Sequence, residues 1–253
     1  MRIVVATYMH NRFPMYYVHA LGVERLVKDF DVIPVVVCSK ESPHREVIED
    51  HFGFNYYEYK NRPLGEKANY AAICASTYDP DYVIFLDSDD IIDNKFMRAY
   101  IEAMEEGYGV IGVRDLYFYG LHPKRGRFGK FGYWAGYGNP NRATGIAKCI
   151  SSEVLKQVEL CPFNKRVNSG LDGTMRARTG KYKPRKKVIS IKDHDAFAID
   201  IKTRGNINGL ASFLLQETDM LSTVKKYLPE NEVNAILSLR DQVYNKRYGT
   251  IYN

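Results

Sequence analysis

Three aspartates that directly follow an apolar segment are the residues of this sequence best suited to chemistry. The segment Tyr82–Leu86 is apolar and β-prone, and Asp87, Asp89 and Asp90 occupy three of the next four positions. Isolated carboxylates are costly to bury, so acids at the end of a strand need a cation or solvent. Side-chain direction repeats every two residues along a strand, which predicts that Asp87 and Asp89 project to the same side. Two such oxygen ligands suit Mg²⁺ or Mn²⁺ that also holds a substrate diphosphate.

The composition indicates one medium-sized domain in a reducing compartment. The chain has 253 residues, 45% of them hydrophobic, which is enough for a substantial core. Its 4 cysteines lie far apart and form no Cys-x-x-Cys pair, which disfavours structural zinc. The opening apolar run is too short for a signal peptide, and no stretch is long enough for a membrane span. We therefore expect a cytoplasmic protein with no transmembrane segment.

The net charge of +6 is modest, but the basic residues are concentrated in two stretches without acids. Residues 116–152 contain no Asp or Glu, and residues 176–187 are mostly Lys and Arg. The first stretch contains Lys124, Arg125, Arg127, Lys130, Arg142 and Lys148. Solvated basic faces are common, but two of them favour an anionic partner such as DNA, an anionic glycan or a lipid-linked diphosphate.

The first half of the chain alternates strand-like and helix-like segments. Strands are predicted at 2–6, 32–38, 54–59, 82–86 and 109–113, and helices at 14–28, 42–52, 66–77 and 94–106. Ser42 and Pro43 are typical of a helix start, and Asp93 of a helix cap. An acidic turn that caps the fourth helix is therefore the structural alternative for the three aspartates. The alternation predicts an α/β fold with a mostly parallel sheet covered on both faces.

The second half is less regular. Residues 116–150 are rich in glycine and aromatic residues, which predicts a hairpin, a lid or a substrate-binding insertion. Short helices are predicted at 152–158 and 170–178 and a last strand at 187–191. Amphipathic helices at 212–227 and 230–245 follow. We expect residues 1–205 to form the main domain and residues 206–253 a helical extension packed on it.

Four stretches, in order, resemble the GT-A glycosyltransferases and most closely their family 2. They are Ile3–Tyr8 with Asn11 and Arg12, Leu64–Asn69, Phe85–Asp90, and Asn168–Asp172. The first is similar to the family's opening strand and nucleotide-binding turn, and the second to its Gly-x-Lys-x-Asn stretch. The third is similar to the Asp-x-Asp motif, and the fourth stands where the family has its Glu-Asp pair. The resemblance covers about residues 1–200 and implies the Rossmann-like GT-A fold.

The resemblance implies transfer of a sugar from a nucleotide-sugar donor, with a UDP-sugar expected first, to an acceptor hydroxyl. Asp87 and Asp89, joined by His194, are expected to hold Mn²⁺ or Mg²⁺ and to stabilise the departing diphosphate. Asp172 is expected to be the general base, and a single carboxylate base predicts inversion at the anomeric carbon. Donor contacts are expected from Thr7, Tyr8, Arg12, Lys67, Asn69 and Asp87.

Each role also has a structural explanation. Asp172 suits the first turn of a helix, His194 lies between acids as in a surface pair, and Lys67 suits a solvated helix face. The aromatic residues of the insertion could stack on a substrate, but aromatic side chains usually pack, so packing in a core or a lid is the favoured explanation. The sequence departs from the family pattern in two ways. Cys38 and Ser39 stand where an acid often recognises uracil, and Leu171 replaces the Glu of the Glu-Asp pair.

The sequence is also compatible with other functions. A phage-type enzyme that glycosylates hydroxymethylated DNA bases would use the basic stretches to neutralise phosphates. A nucleotidyltransferase also uses acidic metal sites, but a Gly- and Lys-rich phosphate loop is expected there, and residues 7–12 contain no glycine. A non-catalytic sugar-binding module could keep the fold without needing Asp87, Asp89 and Asp172 together.

Overall fold

The computed structural model describes residues 1–40, 44–121, 128–203, 210 and 213–248, with side chains described up to residue 242. Within these residues the strands form two sheets. They are β1 (Ile3–Met9), β2 (Ile33–Ser39), β3 (Asn55–Tyr59), β4 (Tyr82–Phe85), β5 (Asp90–Ile92), β6 (Val110–Val113), β7 (Leu116–Gly120), β8 (Lys130–Trp134), β9 (Lys148–Ser151), β10 (Lys186–Ile189), β11 (Ala198–Lys202) and β12 (Gln216–Glu217).

The main sheet has the order β10-β6-β9-β4-β1-β2-β3, and the second sheet has the order β12-β8-β7-β11-β5. In the main sheet β3, β2, β1 and β4 pair in parallel, whereas β9 is antiparallel to both of its neighbours. The α-helices are α1 (Met15–Phe30), α2 (Leu64–Ser76), α3 (Asn94–Glu105), α4 (Ser152–Gln157), α5 (Leu171–Gly180), α6 (Met220–Tyr227) and α7 (Glu230–Tyr248). A short π-helical turn spans Val47–His51.

Helices cover both faces of the main sheet, because its strands are apolar on both sides. Along β1, Val5 packs in the cluster that contains the apolar side of α1, and Val4 in the cluster that contains the alanines of α2. The alternation therefore gives each face its own core. A third cluster joins β7, β8 and β11 of the second sheet to α6 and α7. The α/β architecture with helices on both faces is confirmed.

The three aspartates lie where the chain passes from one sheet to the other. Strand β4 ends at Phe85 in the main sheet, and β5 begins at Asp90 in the second sheet. The intervening residues include Asp87 and Asp89, so the motif forms the link between the two sheets. Asp93 caps α3, since its side chain accepts a hydrogen bond of 2.9 Å from the backbone N–H of Phe96. The helix cap and the acidic cluster are thus separate features.

The structure differs from the sequence expectations mainly after residue 113. The aromatic stretch is a hairpin, β7 and β8, but its last residues, predicted as part of the insertion, form β9 in the main sheet. Strand β10 is not the last strand, because β11 and β12 follow it. Helix α6 begins at Met220, eight residues after the predicted start, since residues 216–217 pair with β8 instead. These errors share one cause: pairing with strands distant in sequence determines which sheet a short apolar segment joins.

Some expectations fall on residues outside the described part of the chain. The helix start at Ser42 and Pro43 is one, although a π-helical turn occupies Val47–His51 of the predicted helix. Lys124, Arg125 and Arg127, and the start of the predicted helix at Ser212, also fall outside it. The division at residues 205 and 206 lies there as well and stays a prediction. No helix within the described residues is long and apolar enough to cross a membrane.

Candidate functional site

A cleft of about 610 Å³ opens at the carboxyl ends of β1 and β4, between the two sheets. This edge is where ligands bind in open α/β sheets. The loop after β1, the link between β4 and β5, and the start of α5 each contribute residues to it. Its acidic lining residues are Asp87, Asp89, Asp90, Asp172 and Asp200, and its basic ones are Arg12, Arg62, Lys67 and Lys202.

Asp87 lies at the centre of the charges in the cleft. The hydroxyl of Tyr8, which also lines the cleft, donates a hydrogen bond to its carboxylate. Burial raises the pKa of Asp87 to about 6; the charges of Asp89 and Asp172 act in the same direction, against Lys148 and the Tyr8 hydrogen bond. Negative charge is therefore crowded at this point, and a cation at Asp87 would relieve it.

Asp89 is 7% exposed and lies against a cation of the loop after β1. Its Oδ2 is 3.9 Å from Nη1 of Arg12, a distance of charge pairing rather than of a hydrogen bond. The backbone of Asp89 is fixed by the second sheet, because its carbonyl accepts a hydrogen bond of 2.9 Å from the N–H of Ile201. The second aspartate of the motif thus depends on both sheets for its position.

Strand β11 adds two charged residues that sequence patterns did not identify. Asp200 pairs in register with Asp90 of β5, which brings two carboxylates together. Burial, foremost, raises the pKa of Asp200 to about 7, with the charges of Asp89 and Asp87 in the same direction, although Lys202 forms an ion pair with it. Among the residues that the structure describes, Oδ1 of Asp200 is buried without a hydrogen-bond partner. The floor of the cleft therefore has carboxylates that are only partly neutralised.

Asp172 is the second residue of α5, which begins after Gly170 in the left-handed backbone region at φ 66°. Its side chain is 46% exposed and forms an ion pair with Lys148 of β9, whose side chain is 8% exposed. Burial lowers the pKa of Lys148, but the charges of Asp172 and Asp87 outweigh it and raise the pKa above its usual value. Lys148 stays charged and links the two carboxylates. The sequence feature that could have identified Lys148 is its position within an apolar, strand-like segment.

The Leu64–Asn69 stretch acts mainly as a scaffold. A Cβ at Gly65 would lie 1.9 Å from the carbonyl oxygen of Asn164, so only glycine allows this approach. Asn69 is buried, and its amide group exchanges two hydrogen bonds of 2.9 Å with the backbone of Phe163. These contacts fix the segment that leads into α5. Asn69 does not line the cleft, so the structure does not place it in contact with a nucleotide sugar bound there.

Lys67 is fully buried rather than solvated. Its ammonium donates to the carbonyl of Met9 and, over 2.8 Å, to the hydroxyl of Ser39. Although Lys67 lines the cleft, these contacts tie β1 to β2. Ser39 stands near the position where the family often has an acid for uracil, and here its hydroxyl is bonded to Lys67.

Thr7 and His19 support the cleft from beneath. The hydroxyl of Thr7 lies 3.0 Å from Nε2 of His19 and from the carbonyl oxygen of Leu86. Nδ1 of His19 lies 2.8 Å from the carbonyl oxygen of Asp90 and donates to it. Burial lowers the pKa of His19 to about 4, so the ring is neutral and carries its proton on Nδ1. Thr7 is therefore brought under the motif and does not line the cleft.

Two predicted features lie elsewhere. His194 is exposed in the turn between β10 and β11 and does not line the cleft, so the structure does not bring it to Asp87 and Asp89. The reason is that this turn is held outward, since Asp195 pairs with Lys95 and Lys226. The basic stretch 176–187 also contributes no residue to the cleft lining.

Comparison with known proteins gives the family. The sequence matches the model of glycosyl transferase family 2 over residues 22–154, which is more than half of the chain. The chain belongs to glycosyl transferase family 2. No curated protein sequence matches it significantly. The family match includes α2 and the Asp87–Asp89 motif, two of the stretches on which the resemblance rested.

Solved structures agree on the fold of this family 2 chain. S. aureus TarS, residues 1–349, in complex with UDP-GlcNAc has a TM-score of 0.57 at 16% identity, covering 96% of this chain and 70% of that one. A second structure of the same TarS segment has a TM-score of 0.57 at 16% identity, covering 79% of this chain and 60% of that one. A longer TarS structure has a TM-score of 0.54 at 17% identity, covering 80% of this chain and 37% of that one. The chain thus spans well under two thirds of the longer TarS chain.

Proposed function

We propose that this protein is a metal-dependent, inverting glycosyltransferase that moves a sugar from a nucleotide-sugar donor to an acceptor hydroxyl. The observation that carries the proposal is one cleft lined by both the Asp87–Asp89 pair and Asp172. The transfer needs charge stabilisation at the leaving diphosphate and removal of the acceptor proton. Two sets of carboxylates within one cleft can serve these two needs.

The cation is proposed from the chemistry of the side chains. Within the described part of the chain, no three His, Cys, Asp or Glu side chains are placed to hold a metal by themselves. Mg²⁺ and Mn²⁺ are commonly held by one or two carboxylates and completed by substrate phosphates and water, which fits Asp89 assisted by Asp87. When bound, such a cation supplies Lewis-acid stabilisation of the diphosphate. Arg12, beside Asp89, is placed to add positive charge at the same point.

Asp172 is proposed as the general base. The acceptor oxygen attacks the anomeric carbon as the bond from that carbon to the diphosphate breaks, and its proton passes to the Asp172 carboxylate. A direct displacement of this kind inverts the anomeric configuration. Asp172 is the second residue of α5, where the positive end of the helix favours a carboxylate, and it is partly exposed to the cleft.

A UDP-sugar is the first donor to test, because the TarS structure of similar fold contains UDP-GlcNAc. The nucleobase needs its own test, because buried Ser39 stands near the position where an acid was expected. The hydroxyl of Ser39 is bonded to Lys67. Asn61, Arg62 and His10 line the cleft near α2 and β1 and are the groups available to contact a nucleotide.

A glycan is the acceptor that the cleft favours. Its second-sheet wall is aromatic: the ring of Phe213 lies 4.5 Å from that of Phe118 and 4.9 Å from that of Trp134, and Tyr137 lies 4.8 Å beyond Trp134. Aromatic faces of this kind suit the apolar faces of sugar rings. Because the basic stretch 176–187 does not line the cleft, a DNA acceptor has less support.

The test is metal-dependent donor binding. Thermal unfolding is measured with a panel of nucleotide sugars, with and without Mn²⁺, for the wild type and for Asp89→Asn. A donor at 100 times its Kd should stabilise the wild type by about 2.7 kcal/mol. Asp89→Asn should lose this stabilisation but keep its unfolding temperature without ligand. Asp193→Ala, which removes an exposed acid outside the cleft, is the control and should behave as wild type. Equal stabilisation of Asp89→Asn and wild type would refute the metal site.

A further inference from the structure

Lys148 is placed by the sheet at the end of the motif strand. It lies on β9 in register with Phe85, the last residue of β4, two positions before Asp87. Its ammonium donates a hydrogen bond of 2.5 Å to the carbonyl oxygen of Gly145 and forms an ion pair with Oδ1 of Asp172. One buried cation thus contacts the proposed base and also interacts through its charge with the metal-side carboxylate of Asp87.

Gly145 contacts the other oxygen of the same carboxylate. A Cβ at Gly145 would lie 2.6 Å from Oδ2 of Asp172, and its three nearest atoms would all be those of the Asp172 carboxylate group. Gly145 itself lines the cleft beside Asp172. Its backbone is not in the left-handed region, so alanine is admissible there apart from this contact. The missing side chain leaves the space that the carboxylate occupies.

We propose that Gly145 and Lys148 form a carboxylate clamp that positions Asp172, an inference that rests on the proposed function. Lys148 engages Oδ1, which leaves Oδ2, over Gly145, as the oxygen that receives the acceptor proton. The acceptor oxygen then bonds to the anomeric carbon, and the diphosphate leaves with the electron pair of the broken bond. Gly145 and Lys148 are positioning residues, because they act through Asp172.

The first variant is Gly145→Ala. The added methyl group displaces a flexible carboxylate rather than the backbone, so the fold should be retained and the base should move. A displacement of about 1 Å can cost about 10²-fold in rate, so kcat should fall by about 10- to 100-fold while the KM for donor stays constant. Gly173→Ala is the matched control, because a Cβ there meets nothing within 4 Å and lies one residue from Asp172.

The second variant is Lys148→Met, which removes the ammonium but keeps a side chain of similar length. Its kcat should also fall, with Lys186→Met, an exposed lysine on β10 of the same sheet, as control. Both variants are then combined with Asp172→Asn. If Gly145 and Lys148 act through Asp172, neither change should lower the rate further in the Asp172→Asn background. A purely structural effect would persist there.

The assay is release of nucleoside diphosphate from the nucleotide sugar that gives the largest thermal stabilisation, in Mn²⁺, with water as acceptor. Loss of turnover in Asp172→Asn together with wild-type turnover in Gly145→Ala rejects the clamp and leaves the base intact. Wild-type turnover in Asp172→Asn overturns the proposed base and the clamp with it. If thermal unfolding shows that Gly145→Ala does not fold, the test rests on Lys148→Met alone, made in the wild type and in Asp172→Asn. The clamp is rejected if the Lys148→Met, Asp172→Asn double variant is slower than Asp172→Asn.

Discussion

Single residues in the cleft differ mainly in which charges lie beside them. Asp87 has its pKa raised to about 6 by burial, with other carboxylates nearby, whereas Asp172 has a cation at one oxygen and is partly exposed. The first environment favours binding of a positive ion, and the second fixes the orientation of a carboxylate. Similar side chains thus have different electrostatic environments, which are set by their neighbours.

Asp172→Asn keeps the size of the side chain but removes its basicity. We expect turnover to fall by about 10²- to 10⁴-fold with little change in donor affinity. Initial rates and donor titration by calorimetry check the two quantities separately. Nuclear magnetic resonance of the product should show an inverted anomeric centre, and a retained configuration would argue against a single-displacement mechanism.

His19 predicts a pH dependence of stability. Its pKa is lowered by burial from the ordinary 6.5 to about 4, so below 6.5 the unfolded state binds the proton more readily than the folded state. The free energy of unfolding should therefore fall as the pH falls through this window, by up to about 3 kcal/mol from this group. Urea unfolding of wild type and His19→Gln across the window isolates the effect.

The stability difference between wild type and His19→Gln should shrink towards pH 4, because the variant cannot take up this proton. His51→Gln, which removes an exposed histidine, is the control and should leave the slope unchanged. A constant difference from pH 7 to pH 4 would contradict a buried neutral His19.

At the scale of elements, the N-terminal end of α2 organises the approach to α5. Gly65 lets Asn164 come close, the N–H of Gly65 donates over 2.9 Å to the carbonyl of Val167, and Asn168 accepts from the N–H of Leu64 over 3.0 Å. These bonds tie one helix start to the loop before another. The position of Asp172 is therefore set by α2 as well as by α5.

Asn69→Ala tests this connection. It leaves the N–H and carbonyl of Phe163 without their partners in a buried site, which should lower the free energy of unfolding by about 1–3 kcal/mol. Donor affinity should change little, because Asn69 does not line the cleft. Urea unfolding and donor titration give both numbers, with Asn141→Ala in the exposed loop before β9 as control. A large loss of affinity for the nucleotide-sugar donor at unchanged stability would indicate that Asn69 contacts the donor.

At the scale of the whole molecule, the site exists only because two sheets meet. The main sheet supplies β1 and β4, the second sheet supplies β11 and the aromatic wall, and the motif is the link between them. The C-terminal segment is joined to the body, since Arg25 of α1 forms an ion pair of 2.7 Å with the buried Glu232 of α7. This packing supports the helical extension proposed for residues 206–253.

The charge distribution predicts how transfer responds to salt. With a neutral glycan acceptor, acceptor affinity should be nearly independent of ionic strength, and reversal of Lys183, Arg185 and Lys186 to Glu should leave it unchanged, because these residues do not line the cleft. With a polyanion such as DNA, acceptor binding should weaken steeply with salt, and the reversal should flatten the slope. Acceptor affinity measured for both proteins at two salt concentrations separates these cases.

The order of the elements and the place of the motif follow from the sequence, because both depend on local patterns. Apolar runs and helix signals are read within about ten residues, and Asp87 and Asp89 stand out because carboxylates end an apolar strand. Asp93 as a cap is equally local, since donor and acceptor are three residues apart. For the same reason the α/β class was predictable from the first half of the chain.

Only the tertiary structure decided which charges meet. Lys148 reaches Asp172, and Asp200 lies opposite Asp90, because β9 and β11 pair with strands far away in sequence. The same pairing turned the end of the aromatic stretch into a main-sheet strand. Contacts between distant residues depend on the assembled sheets, and no local period in the sequence encodes them.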